Sequence, residues 1–202
     1  MIFPQLTVEH ALWQQGIQIV AGVDEVGMGP LAGPVVAAAV AFPAGSTLDD
    51  LPRGVRDSKT LSAQARERLA PAIRRAALAV GFGLVEVEEI DEINIYQAGR
   101  KARRLALAAL PITPERALID GRTLSDLPYP QQAFVKGDRD IYSIAAASII
   151  AKVHRDCLMT ELHARYPQYG FAKHMGYGTV AHREALRQFG PCPAHRRSFR
   201  LL

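Results

Sequence analysis

The sequence predicts an α/β protein with a mixed central β-sheet flanked by helices. Three observations carry that expectation. Two apolar, β-branched runs, "IQIVAGVD" at 17–24 and "PVVAAAVAF" at 34–42, are joined by a short glycine-rich turn and read as a hairpin of buried strands. From residue 62 onward helical and strand patterns alternate, the order that lays helices against a sheet. Three strand ends carry acids just before a turn, "GVDEVG", "LIDGR" and "VKGDRD", and such ends are where open α/β sheets gather functional side chains.

Taken in order, residues 7–15 predict a short helix with Thr7 as N-cap and Gly16 beyond its end. The hairpin follows. Residues 62–79 read as helix, with Pro71 expected to kink or break it, because proline lacks an N–H and crowds the preceding turn. "GFGLVEVE" returns to strand, "EINIYQAGRKARRLALAAL" to helix, and "RALID" and "AFVKGD" to short strands. "DIYSIAAASIIAKVHRDCLMTELHARY" predicts a long helix rich in small residues. After Pro167 the pattern is loop, then a helix near 180–189, then a basic tail punctuated by proline.

Composition narrows the class. With 202 residues, 49% hydrophobic and 22% charged, the chain can bury one substantial core. It has no run of roughly 18 apolar residues that could cross a bilayer, and its first residues lack the basic and apolar regions of a secretory signal. A cytoplasmic protein with no membrane partner is expected. Cys157 and Cys192 show no CxxC spacing, so both are expected to be reduced and neither suggests a zinc site. From Lys152 to the end there are nine Lys/Arg against three acids, and five of the six histidines lie there too. Such asymmetry suits a surface that meets a polyanion, the plainer reading being a solvated helical face.

The acids Asp24, Glu25, Asp120 and Asp138 are the candidate catalytic and metal-ligating residues. One aspartate at a strand end is ordinarily a cap or turn residue. Four together crowd negative charge that a hard divalent cation would neutralise through oxygen ligands. Neighbours in a strand point to opposite faces, so the strand is expected to end or bulge at Asp24–Glu25, with Gly27 and Gly29 supplying backbone freedom.

The runs "AGVDEVGMGPLAGPVVAAAV", "DSKTLS", "INIYQA", "LIDG", "KGD", "SIAAASIIAKVHRD", "YPQYGFAKHMGYGT" and "HRRSF" resemble bacterial ribonuclease HII in type and order from residue 21 to 199. The resemblance implies a ribonuclease H-like catalytic domain over 1–165 and a basic helical extension over 166–202 packed on it. It implies a metal-dependent endonuclease that cuts the RNA strand of RNA/DNA hybrids. It further implies nicking of duplex DNA 5′ of embedded ribonucleotides, leaving 3′-hydroxyl and 5′-phosphate ends, by a monomer holding two Mg²⁺ or Mn²⁺ ions on Asp24, Glu25, Asp120 and Asp138. By the same resemblance the turn at Gly27, Met28 and Gly29 reads the ribose 2′-hydroxyl through its backbone, and Tyr177 stacks on the neighbouring sugar. Ser58, Lys59, Asn94 and Gln97 match positions that hold the nucleic-acid backbone. Met28 and Met175 stand where the family carries cations, which implies a weaker grip on phosphate. Asp156 reads either as a further acid of the site or as an ion-pair partner of Arg155 or Lys152, and Arg100, Lys101, Arg103 and Arg104 as a basic cluster or a solvated face. Two other classes compete: a nuclease of the same fold acting on branched DNA, and a non-catalytic nucleic-acid-binding module, which has no need of all four acids.

Overall fold

The computed structural model describes residues 3–202. Five strands form one mixed sheet: β1 (Val20–Val26), β2 (Val35–Ala41), β3 (Ala79–Val85), β4 (Arg116–Asp120) and β5 (Gln131–Phe134), in the order β3-β2-β1-β4-β5. β1, β2 and β3 pair antiparallel, while β4 runs parallel to β1 and β5 parallel to β4. The alanine- and valine-rich β2 is buried along its whole length because helices cover both faces of the sheet. On one face lies α6 (Tyr142–Arg165), with Ala145, Ile149 and Ile150 in the core; on the other lies α4 (Ile95–Ala108), through Ala98, Ala102 and Ala106. Small residues set this spacing: a Cβ on Gly83 would lie 2.0 Å from the Ala102 carbonyl oxygen of α4.

The register places the acids. Val23 pairs with Ile119 in the parallel β1–β4 ladder, so the next residues, Asp24 and Asp120, stand side by side at the same edge. Val20 packs toward α6 and Ala21 and Val23 toward α4, so the alternation sends Asp24 to the α6 side and Glu25 to the α4 side. Of the expected end or bulge at Asp24–Glu25, no bulge forms, since the ladder to β2 runs on to Val26 opposite Val36, but the ladder to β4 ends at Val23 opposite Ile119, just before the acids. Both acids can serve one site because the sheet ends there, and its edge is reached from either face.

Several other boundaries differ from the sequence reading. In α1 (Thr7–Gln14) Thr7 is the first helical residue, and Leu6 occupies the cap without a side-chain bond. α2 (Ala63–Ala76) continues through Pro71, which is exposed, as is Glu67, whose carbonyl loses its partner there. The strand expected over 81–88 ends at Val85, and the helix expected over 92–110 is two helices, α3 (Val87–Ile93) and α4, broken at Asn94 with φ of 69°. Asp138 is not at a strand end but in the short helix α5 (Gly137–Asp140), entered through left-handed Lys136. Beyond Arg165 a 3-10 turn (Pro167–Tyr169) and α7 (Phe171–His174) replace part of the expected loop, and α8 (Val180–Phe189) lies where it was predicted. This C-terminal segment has its own apolar cluster, in which Tyr169, Phe171, Leu186 and Cys192 pack on Leu31, Ala32 and Met159. Among the described residues no helix is long and apolar enough to cross a membrane.

Candidate active site

Asp24, only 5% exposed, sits at the centre of the acidic edge. Burial first, then the charges of Glu25, Asp120 and Asp138, push its carboxyl well above the usual range, although its Oδ1 accepts the Glu25 N–H at 2.7 Å. Burial likewise raises Glu25 and Asp138, each with Asp120 adding to the rise. Asp120 holds the edge together: its Oδ1 accepts the Gly137 N–H at 2.7 Å and so ties the start of α5, hence Asp138, to the end of β4.

Two cations face these acids. The Arg103 guanidinium, on the buried face of α4 and 7% exposed, donates to the Asp120 carbonyl at 2.6 Å and brings Nε to 3.2 Å from Glu25 Oε2. That approach lacks a hydrogen-bonding angle, and Glu25 Oε2 stays buried with no hydrogen-bond partner. Lys59 Nζ lies 3.6 Å from Asp138 Oδ2. Burial opposes its charge, but Asp24, Asp138, Asp57 and Asp120 outweigh that and raise its pKa.

An orphaned carboxylate oxygen and mutually repelling acids are a donor set suited to a hard divalent cation. Among the described residues no three His, Cys, Asp or Glu side chains already form a metal cage, so the acids stand close without closing into a coordination shell.

The turn after β1 is held from behind. Gly27 has φ of 98°, and a Cβ there would lie 2.5 Å from Arg155 Nε, so glycine is required. At Gly29 a Cβ would meet only Tyr177 Cε1, at 3.6 Å, an ordinary contact. The fold therefore demands glycine at 27 and leaves the space over Gly29 open beside the Tyr177 ring. Arg155 donates to the carbonyls of Pro34, Ala32 and Met175, and Arg196 to those of Gly33 and Pro30. These two of the nine late cations are therefore interior clasps and not surface charge, because the bent chain between β1 and β2 leaves carbonyls that no strand partner satisfies.

The remaining sequence candidates divide. Ser58, matched to a position that holds the nucleic-acid backbone, is buried and spends its hydroxyl on Ser148 at 2.6 Å, bracing the Lys59 turn. Asn94 caps α4 by accepting the Gln97 N–H at 3.1 Å, and both are exposed. Met28 is turned inward over α4, where a Cβ on Gly99 would meet its Sδ at 2.8 Å, and Met175 adopts a left-handed conformation against the C-terminal cluster. Asp156 pairs with Lys152 at 2.7 Å and Arg66 at 3.6 Å on the flank of α6. In the α4 cluster, which the sequence left as a basic cluster or a solvated face, Arg100 donates to the Thr123 carbonyl and Lys101 pairs with Glu89, while Arg103 turns inward to the acids, a placement the sequence did not assign it. Its signal was present: Arg103 falls on the helical stripe of Gly99, Ala102, Ala106 and Leu107, and an arginine on a buried stripe needs an acid.

The family model for Ribonuclease HII matches residues 21–202. The chain belongs to the ribonuclease HII family. The ribonuclease HII of Pelodictyon phaeoclathratiforme is 55% identical over 199 residues, covering 96% of this chain and 94% of that protein. Among solved structures, the ribonuclease H2 of Pyrococcus horikoshii OT3 superposes with a TM-score of 0.77 at 28% identity, over 91% of this chain and 94% of that one. The PCNA:RNase HII complex of Archaeoglobus fulgidus gives a TM-score of 0.73 at 30% identity, over 90% and 95%. The fold is thus ribonuclease H-like, and the protein is a ribonuclease H, an endoribonuclease that acts on RNA/DNA hybrids and depends on divalent metal, as the ribonuclease HII family does.

Proposed function

We propose that Asp24, Glu25, Asp120 and Asp138 hold two Mg²⁺ or Mn²⁺ ions and that the site nicks duplex DNA 5′ of an embedded ribonucleotide, leaving 3′-hydroxyl and 5′-phosphate ends. The supporting observation is that the crowded acids at the ends of β1 and β4 lead within a few residues into an open step at Gly29 beside Tyr177. When bound, the ions supply a water nucleophile and charge for the departing 3′-oxygen. The chain's own groups do the rest. Arg103 holds Glu25 and the end of β4, and Lys59 brings positive charge over Asp138. The Gly27–Gly29 turn admits a ribose close enough for backbone groups to meet its 2′-hydroxyl, the group that tells RNA from DNA. Tyr177 offers a ring for the adjoining sugar, while Asn94, Gln97 and Lys59 meet the strand's phosphates. The boundary we propose puts the catalytic domain at 1–165 and the helical extension at 166–202, in a cytoplasmic monomer.

The test is a duplex carrying one ribonucleotide, compared with an all-DNA duplex and a branched DNA, with and without Mg²⁺ or Mn²⁺. Cleavage confined to the ribonucleotide substrate is expected. Asp24→Asn and Asp138→Asn should each lower it by at least about 100-fold, a loss typical of removing a main source of charge stabilisation, with duplex binding retained. Cutting of branched DNA, or near-parental rates in either variant, would overturn the reading.

A further inference from the structure

Behind Tyr177 the C-terminal segment buries two histidines that face each other. His182 Nε2 and His195 Nε2 are 3.0 Å apart, so one must donate and the other accept. The direction follows from the Tyr177 carbonyl, whose role as acceptor is fixed. The proton of neutral His182 therefore lies on Nδ1, which donates to that carbonyl at 2.9 Å; its Nε2 is bare, and His195 Nε2 must donate to it. His195 Nδ1 is then free to accept the Cys192 backbone N–H at 3.0 Å, with the Cys192 Sγ at 3.2 Å and carbonyl at 3.3 Å also beside it. The order therefore runs from the backbone of Tyr177 through both rings toward Cys192. Aromatic rings wall the pair: Phe171 meets His182 edge-on at 5.5 Å, Tyr169 meets His195 at 4.7 Å, and His174 stacks on His182 at 4.5 Å. Both imidazoles are fully enclosed where two apolar side chains could fill the space, and His182 bonds the backbone of the Gly176–Tyr177 loop, reaching the carbonyl of the residue whose ring lies over Gly29.

We infer that His182, oriented by His195, is a positioning residue that sets the backbone of Tyr177 and thereby holds its ring, 43% exposed, over the Gly29 step. The extension is on this view the mount of the sugar-stacking ring as well as a basic surface. The inference rests on the proposed role of Tyr177, and the test separates the two. Single-turnover cleavage of the one-ribonucleotide duplex is compared for the parent, His182→Leu, His182→Asn, Tyr177→Ala and the double variant His182→Leu/Tyr177→Ala. Loss of the hydrogen bond in His182→Leu should lower kcat/KM about tenfold. His182→Asn, whose amide can donate where Nδ1 does, should recover most of it. In the Tyr177→Ala background His182→Leu should cost nothing further, because the ring it positions is gone. Equal losses in both backgrounds would make His182 merely structural and overturn the inference, whereas parental activity of Tyr177→Ala would overturn the role of Tyr177 itself. Should the leucine variant not fold, ¹⁵N shifts of the parent's imidazoles decide: protons on His195 Nε2 and His182 Nδ1 are required, and the opposite tautomers refute the relay.

Discussion

Asp24 shows how one residue can be right for chemistry and wrong for stability. Its raised pKa means that the folded chain holds that proton more tightly than the unfolded chain does. Below the ordinary carboxylate range both states are protonated and nothing is lost; as pH rises through that range the unfolded chain ionises first, and the native state loses stability. Asp24→Asn removes the charge, while its amide oxygen can still accept the Glu25 N–H that Asp24 Oδ1 accepts at 2.7 Å. The variant is therefore expected to melt higher than the parent at pH 7 without metal, each 1 kcal/mol of relief being worth about 2–4 °C in a chain of this size. Added Mn²⁺ should raise the parent more than the variant, since a ligand stabilises only what it binds. A calorimetric scan in which Asp24→Asn melts lower would show that the acids are not strained against one another.

Among the elements, the seam between β3 and α4 depends on a glycine whose place a side chain cannot share. In Gly83→Ala the new Cβ would lie 2.0 Å from the Ala102 carbonyl oxygen and 2.5 Å from the Ala106 nitrogen, both backbone atoms of α4. Relief requires the helix to lift off the sheet, at a cost of about 3 kcal/mol. Gly99→Ala, on α4 itself, is the control, because its Cβ would meet the end of the flexible Met28 side chain, Sδ at 2.8 Å and Cε at 3.2 Å. Denaturant melts should show Gly83→Ala much the more destabilised, and equal losses would mean that the helix, not Met28, yields. The inward position of Met28 also bears on substrate: a cation there would have to leave the α4 contact to reach a phosphate.

At the scale of the whole molecule, the C-terminal segment that packs on the β1–β2 loop and α6 is held together by groups that must stay neutral or fully satisfied. Burial, then the neighbouring His182, lowers the His195 pKa to about 4, and burial lowers that of His182. The native state thus resists protons that the unfolded chain accepts below about 6.5. Stability from this pair is complete above that value and is lost as pH falls toward 4. Between pH 7 and pH 5 the loss through His195 is on the order of 2 kcal/mol. His195→Gln, which cannot titrate, should show a drop in urea-derived stability over that interval smaller by about this amount. An unchanged drop would place the acid sensitivity elsewhere.

The hairpin, the long helix to Arg165 and the acids at the ends of β1 and β4 were legible in the sequence, because each is written in a local signal: β-branched runs, 3.6-residue periodicity, a carboxylate before a turn; Asp138, expected at a third strand end, lies instead in α5. Helix breaks were less so. Asn94 at φ of 69° divides what periodicity joins, and Pro71 spares a helix that propensity would end, since neither outcome is visible until one knows which carbonyls face solvent. Charge was the least legible property. Arg103, Arg155 and Arg196 look in sequence like any surface arginine, and only the tertiary structure turns them inward, onto Glu25 and onto loop carbonyls more than a hundred residues away. Local pattern determined what each segment could form. Which buried polar groups would need one another was decided by the packing of α4 and α6 on the sheet and of the C-terminal segment on α6 and the β1–β2 loop, because a donor's partner is set by proximity in space and carries no signature along the chain.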